Sequence, residues 1–330
     1  MGLNNMQDNL LSVVIITYKQ FQYIYETIDS ILKQDYPAIE IVVADDGSPN
    51  FPDCEIRQYI EMKRGENLKC YKLLHDEINV GTVKNINKGI RNSTGKFIKI
   101  IAGDDTYHDK YVFTTQIEYL KANPEIMIVT GKTCECDADM NPIFKEQVQK
   151  TNNALLSIFQ LEPKAYFDKC GKEGLFPLVT QALCFRHSFF DQYGFYDETY
   201  RLLEDPPMEK RIIINRVPIA AVDWIIVNHR ADVGISANNE LFSNKRQQYY
   251  LDLTNYVKNE LLSRPHIFSP FKTKWRYRTE KFRYEMSIAK DKKQKIKVLL
   301  KNIDTIIMFW ILRPQTMLKK IKILFRVKLS

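Results

Sequence analysis

IEIVVADDGS, Ile39 to Ser48, and KFIKIIAGDD, Lys96 to Asp105, decide how this chain folds. Each is a short, β-branched apolar run that stops at turn residues. Each therefore predicts a buried parallel strand ending in a polar tip. In an open α/β sheet, ligands bind beyond the carboxyl ends of the strands. The two tips carry Asp45–Asp46 and Asp104–Asp105, with no cation close in sequence. That pattern suits a sugar ring, a ribose, or a divalent metal with a diphosphate behind it. Neighbouring carboxylates repel unless something positive or hydrogen-bonding sits between them.

Outward from these tips, LLSVVIITY (Leu10 to Tyr18) predicts a first strand, and Ile24, Thr27, Ile28, Ile31 and Leu32 a first amphipathic helix. Glu40 to Ala44 is the second strand, and the region of Arg57 to Met62 a second helix. Cys70 to Leu74, Gly81 to Ile90 and Phe97 to Ile101 continue as strand, helix and strand. The βαβαβαβ order implies an α/β fold with a doubly wound, mostly parallel sheet. Beyond Asp105 a helix is expected over Tyr111 to Leu120 and a strand over Glu125 to Thr130. Residues 140–180 read as irregular because of Pro142, Pro163 and Pro177, and order resumes over Leu183 to Phe190. From Tyr249 onward the chain reads as helical and lysine-rich.

The chain has 330 residues, 45% of them apolar, enough for a packed core and against global disorder. Six scattered cysteines form no paired C-x-x-C zinc pattern, and the first residues lack a charged-then-apolar leader. These features lead to the expectation of free thiols and a cytoplasmic protein. The net charge of +8 is unevenly spread. Residues 256–330 hold 20 Lys/Arg against 5 Asp/Glu, while the first 255 hold 28 against 35. The basic region 241–330 thus reads as a helical extension suited to an anionic membrane surface, placing the protein peripherally on the inner face of the cell membrane. Its apolar run Ile306 to Leu312 is far shorter than the ~20 residues of a membrane span. With Phe309 and Trp310 it suits an interfacial helix; the alternative is an ordinary helix packed on the domain.

SVVIITYKQFQYIYETIDSILKQDYPAIEIVVADDGS, then NVGTVKNINKGI, then IKIIAGDD, resemble the nucleotide-sugar-binding half of family 2 glycosyltransferases, closely over residues 11–110 and more weakly to about 236. The resemblance implies a GT-A-like catalytic domain over 1–240, with a nucleotide-sugar half (1–110) and an acceptor half (111–240). It implies an inverting, hexosyltransferase-type enzyme using Mn²⁺ or Mg²⁺ and a nucleoside-diphosphate sugar, with UDP-sugar favoured. The acceptor class is a saccharide or lipid-linked hydroxyl, as in assembly of a cell-surface polysaccharide or glycolipid.

By position, Thr17 and Tyr18 frame the base and Asp45 or Asp46 holds the nucleoside; the alternative is a plain Asp-Gly-Ser turn. Asn79, Gly81 and Asn87 match the family's second block, although Asn79 also suits a helix cap. Ile86 stands where the family has Arg, with Lys84 nearby as a substitute cation. Asp104 and Asp105 match the metal motif, Asp104 also reaching the donor, with Ala102 where relatives carry a first Asp; the alternative is a helix cap at Asp105. Asp205 in the Glu204–Asp205 pair matches the base, with Asp197 and Glu198 as runners-up and simple capping as the alternative. His229 and Arg230 are candidate phosphate contacts, as are Lys210 and Arg211. The Ile86 and Ala102 departures keep a catalytically inactive nucleotide-sugar-binding scaffold as the competing reading. A nucleic-acid binder is not expected, since basic residues in the tail alternate with apolar ones and no recognised module occurs.

Overall fold

The computed structural model describes residues 9–161, 163–173, 178–231 and 244–312. The chain divides into two compact units, 1–239 and 240–330. In the first, β1 (Leu11–Thr17), α1 (Phe21–Leu32), β2 (Ile39–Asp45), α2 (Asp53–Lys63), β3 (Leu68–His75), α3 (Thr82–Arg91) and β4 (Phe97–Ala102) form the expected alternation. They continue into β5 (Thr106–Tyr107), α4 (Val112–Ala122), β6 (Ile128–Cys136), α5 (Glu146–Phe159), α6 (Pro163–Glu173), β7 (Cys184–Arg186), α7 (Ser188–Tyr193), α8 (Asp205–Ile214) and β8 (Ile219–Arg230).

The strands form one sheet in the order β3-β2-β1-β4-β7-β6-β8-β5. β1 to β4 pair in parallel, whereas β7 runs antiparallel between β4 and β6, and β5 runs antiparallel to β8. The sheet is therefore parallel over β1 to β4 and mixed beyond them. Leu11, Val13 and Ile15 of β1 point to one face and pack with Ile24, Ile28 and Ile31 of α1 and with Ile56 and Ile60 of α2. Val14 points to the other face, under Gly89 of α3. A Cβ at Gly89 would come within 2.2 Å of Val14 Cγ1, so glycine lets α3 lie directly on β1.

Three expectations need correction. Residues 140–180 are not irregular: they contain α5 and α6. The α5 sequence is polar overall, but Asn152, Leu155 and Ile158 share its buried side, and Asn152 bonds both the N–H and the C=O of Thr133. The strand expected over 125–130 is β6, which runs on to Cys136 because the polar stretch KTCEC pairs with β8. Finally, no helix begins at Asp105; β5 follows, which removes the helix-cap alternative there.

The second unit is helical: α9 (Asn244–Tyr256), a wider turn over Val257–Leu261, α10 (Pro270–Ile288), α11 (Lys292–Lys301) and α12 (Ile303–Leu312). Residues 232–236, which close the last family-like segment, and the tail 313–330 lie outside the described residues.

Candidate functional site

The parallel register places Thr17, Asp45 and His75 in one row at the carboxyl edge of β1, β2 and β3. Asp45 is fully buried. Its carboxylate accepts from Ser48 N (2.8 Å) and Ser48 Oγ (2.6 Å) and faces His75 Nδ1 at 2.8 Å. Asp45 thus makes the turn. Asp46 points the opposite way and accepts from Asn79 Nδ2 (2.7 Å), Val80 N (2.7 Å) and Gly81 N (3.0 Å). Burial still pushes its carboxyl pKa up. The two aspartates left open by the sequence therefore divide: one shapes the tip of β2, the other anchors the β3–α3 loop beside it. Among the described residues Thr17 Oγ1 is buried without a hydrogen-bond partner, about where a side chain on Gly103 would meet it. Tyr18 follows, its ring 5.0 Å from the Lys19 ammonium.

Gly81 caps α3 with φ 101°, a conformation glycine adopts freely. Asn79 is not the cap: its amide donates to Asp46 and its Oδ1 accepts from Arg201 Nη2 at 2.6 Å. Asn87 is fully buried, and its amide is spent on Tyr196 N and O and on Glu198 Oε1. It ties α3 to the 196–198 segment and does not face a donor. Lys84 is exposed on the same helix, where its charge acts on Glu198. The cation at the tip of β2 is Lys88, which donates to Asp45 O (2.8 Å) and pairs with Asp76 (2.7 Å). Its place in the NKG triplet was the available signal. Arg201 gave none, being over a hundred residues from its partner Asn79.

At the end of β4, Asp104 and Asp105 are 5% and 1% exposed. Asp104 Oδ2 accepts from Gln20 Nε2 at 3.0 Å; burial, then the charge of Asp105, push its pKa up to about 6. The β5–β8 pairing sets Thr106 opposite Asn228 and so brings the next two residues to Asp105. Asp105 Oδ1 accepts from Arg230 N (2.9 Å), and His229 Nδ1 lies 3.1 Å away. The bond to Asp105 raises the His229 pKa to about 8 against the cost of burial. Arg230 is not a phosphate contact in this arrangement. Its guanidinium is 1% exposed, donates to Asp104 O (2.9 Å), Ala138 O and Glu26 Oε2 (2.5 Å), and lies 4.2 Å from the Tyr23 ring centroid. It clamps the backbone at Asp104.

Asp205 begins α8 but caps nothing with its side chain, so the capping alternative fails. Its Oδ1 accepts from the N–H and hydroxyl of Thr180. Because β7 runs antiparallel to β4, the turn at Thr180–Ala182 lies toward the carboxyl end of β4, and Asp205 is carried there with it. Burial pushes up the pKa of Asp205; burial and then the charge of Asp205 push up that of Glu204. The runners-up are otherwise engaged. Asp197 holds a turn through Thr199, and Glu198 pairs with Arg91 (2.9 Å). Arg211 donates to Gly194 O (2.8 Å) and Phe195 O, and Lys210 is half-buried on the same helix.

Among the described residues no three or more His, Cys, Asp or Glu side chains form a ready-made metal cage. The donor set nonetheless fits a hard divalent ion. Asp104 and Asp105 supply carboxylate oxygens, and such ions are commonly held by one or two carboxylates plus substrate phosphates. His229 adds a nitrogen donor beside them.

The family profile described as Glycosyl transferase family 2 matches residues 12–172. An uncharacterised glycosyltransferase of Rickettsia prowazekii is 27% identical over 209 residues, 61% of this chain and 58% of that protein. The chain spans smaller shares, 17% to 38%, of several other curated relatives. Among solved structures, residues 1–349 of S. aureus TarS in complex with UDP-GlcNAc superpose with a TM-score of 0.56 at 16% identity, covering 90% of this chain and 81% of that one. A mannosyltransferase from Pyrobaculum calidifontis in complex with GDP-Man and Mn²⁺ gives 0.55 at 14% identity, covering 90% and 80%. At such identities these two share the fold.

Proposed function

Residues 12–172 belong to glycosyl transferase family 2, and on that premise we propose that the protein is a metal-dependent inverting glycosyltransferase. It moves a sugar from a nucleoside-diphosphate sugar, with UDP-sugar favoured, to a saccharide or lipid-linked hydroxyl in assembly of a cell-surface polysaccharide or glycolipid. The observation that carries the reading is the Asp104–Asp105 pair. These are two adjacent carboxylates, nearly fully buried at the carboxyl end of a central strand, whose described side-chain partners are one glutamine amide and one imidazole. Buried carboxylates so arranged call for a cation.

Each residue then has a task. Thr17 and Tyr18 frame the base, with the Thr17 hydroxyl, unpaired among the described residues, left to bond it. Asp46 fixes the Asn79–Gly81 loop along the donor side, and Asp45 holds the tip of β2 in shape. Asp104 and Asp105 hold the divalent ion, with His229 beside them. Bound there, the ion supplies neutralisation of the charge that develops on the departing diphosphate. Asp205 takes the acceptor's hydroxyl proton while that oxygen bonds to the anomeric carbon and the bond from this carbon to the diphosphate breaks on the opposite face. Thr180 orients Asp205, and burial makes Asp205 a stronger base than a solvated carboxylate. An acceptor at an anionic membrane face suits the basic C-terminal region.

Asp205→Asn tests the assignment. Transfer is expected to fall by at least ~10²-fold, the low end for a lost general base, with donor affinity by calorimetry unchanged. Wild-type turnover would remove Asp205 as the base. A wild-type protein that binds a nucleotide sugar with Mn²⁺ or Mg²⁺ yet neither hydrolyses nor transfers it would establish the scaffold reading instead.

A further inference from the structure

Helix α11 has no buried residue. A ten-residue helix whose apolar side chains the described residues cover only in part is marginal in water, since helices draw most of their stability from packing. Its exposed apolar residues are nevertheless ordered. Ile296, Leu299 and Leu300 of α11 and Ile303 and Ile307 of α12 are between 40% and 66% exposed. Ile296, Leu299 and Leu300 share one face of α11 at i, i+3 and i+4, and Ile303 and Ile307 share one face of α12 at i and i+4. The opposite face is the packed one: Thr305 is buried, and Val298 is half-buried.

Charge defines what can cover this stripe. Lys295 and Lys297 stand one residue either side of Ile296, roughly 100° away round the helix, and so flank the stripe on both sides. Lys292 and Lys293 precede them, and both are exposed. The acidic residue nearest the stripe, Asp304, is paired with Arg278 at 2.9 Å. A second copy would bring lysines against lysines. The chain beyond Leu312 would do the same, since residues 313–330 contain six Lys/Arg and no Asp or Glu. An apolar seam bordered by cations fits a layer with an apolar interior and anionic headgroups. Among the described residues no helix is long and apolar enough to cross a membrane.

We propose that the Ile296–Ile307 face of α11 and α12 is a membrane-docking surface that lies in the interface of an anionic bilayer. The stripe enters the acyl boundary, and the flanking lysine stems extend along it to the headgroups. This surface is independent of the donor chemistry, so its test does not depend on the transferase reading.

The test is sedimentation of the full-length protein with vesicles of phosphatidylcholine alone or with added phosphatidylglycerol, at two salt concentrations. Binding is expected only to the anionic vesicles and is expected to weaken with salt. Leu300→Asp is expected to lower the affinity at least about tenfold, since it removes a buried side chain and adds a repelled charge. Lys293→Gln with Lys297→Gln is expected to lower it about twentyfold or more, at ~1 kcal/mol for each lysine. Lys293, Lys297 and Leu300 are all exposed; should the aspartate variant lose its circular dichroism signal, the glutamine pair decides alone. Wild-type protein remaining in the supernatant with anionic vesicles overturns the proposal. So does equal binding by the glutamine pair, which would assign the affinity to another segment. A wild-type dimer in solution that Leu300→Asp converts to monomer overturns it too, by showing the stripe to be a subunit seam.

Discussion

Arg230→Met separates a structural clamp from a phosphate ligand. The substitution keeps the backbone N–H that bonds Asp105, so the loss is confined to the guanidinium. One buried carbonyl, Asp104 O, loses its donor, while Ala138 O belongs to an exposed residue and can turn to water. An unsatisfied buried acceptor costs about 1–3 kcal/mol. The third bond, to Glu26, adds little because that carboxylate is half exposed. Relief of a buried charge returns part of the loss. The balance is ~2 kcal/mol of destabilisation, a sizeable share of the roughly 5–15 kcal/mol that holds a domain. In a unit of this size that corresponds to a melting temperature about 4–8 °C lower. Urea denaturation gives the free energy, and calorimetry with UDP gives the donor affinity at a temperature where the variant is folded. Unchanged stability together with a tenfold or greater loss of UDP affinity would refute the clamp and return Arg230 to the phosphates.

Gly81→Ala is expected to destabilise the protein and weaken donor binding, because the residue has φ 101° and a Cβ would lie 2.5 Å from Arg201 Cγ and 2.7 Å from Arg201 O; paired denaturation and UDP titrations measure both, and a neutral result would show that the loop relaxes without cost. Lys99 is fully buried among Gln116, Tyr107 and Phe113, and burial lowers its pKa to about 8. Between pH ~8 and the ordinary lysine value near 10.4 the unfolded chain binds more protons than the folded one, so this group makes stability rise with pH across that window and costs most below it. Lys99→Met is accordingly expected to gain stability relative to wild type at pH 7 compared with pH 10, read from denaturation at the two values; a constant difference would mean that Lys99 is charged in the folded state throughout.

The strand tips were legible because they are local. A β-branched run ending in Asp-Asp-Gly or Gly-Asp-Asp needs no distant partner to become a strand with a polar end, and two such runs with two further apolar runs, alternating with helices, specify a parallel sheet. The order NVG then NKG gave the start of α3 for the same reason, although the cap fell to Gly81 instead of Asn79. The limits of the reading are also local in origin. Polar KTCEC is a strand only because β8 lies beside it, and α5 is a helix whose buried side shows only three residues at helical spacing.

What the sequence determined by itself was the alternation, the burial of the strands and the carboxylates at the strand ends, since apolar runs and turn chemistry act within a few residues. Tertiary structure alone decided which of those polar groups remain available. Asn87, Arg230 and Glu198 carry the right chemistry but are consumed by partners up to two hundred residues away, while Thr180 reaches Asp205 and Gln20 reaches Asp104 only after the sheet has closed. A hydrogen bond is satisfied by whatever donor packing delivers, and separation along the chain places no bound on that choice.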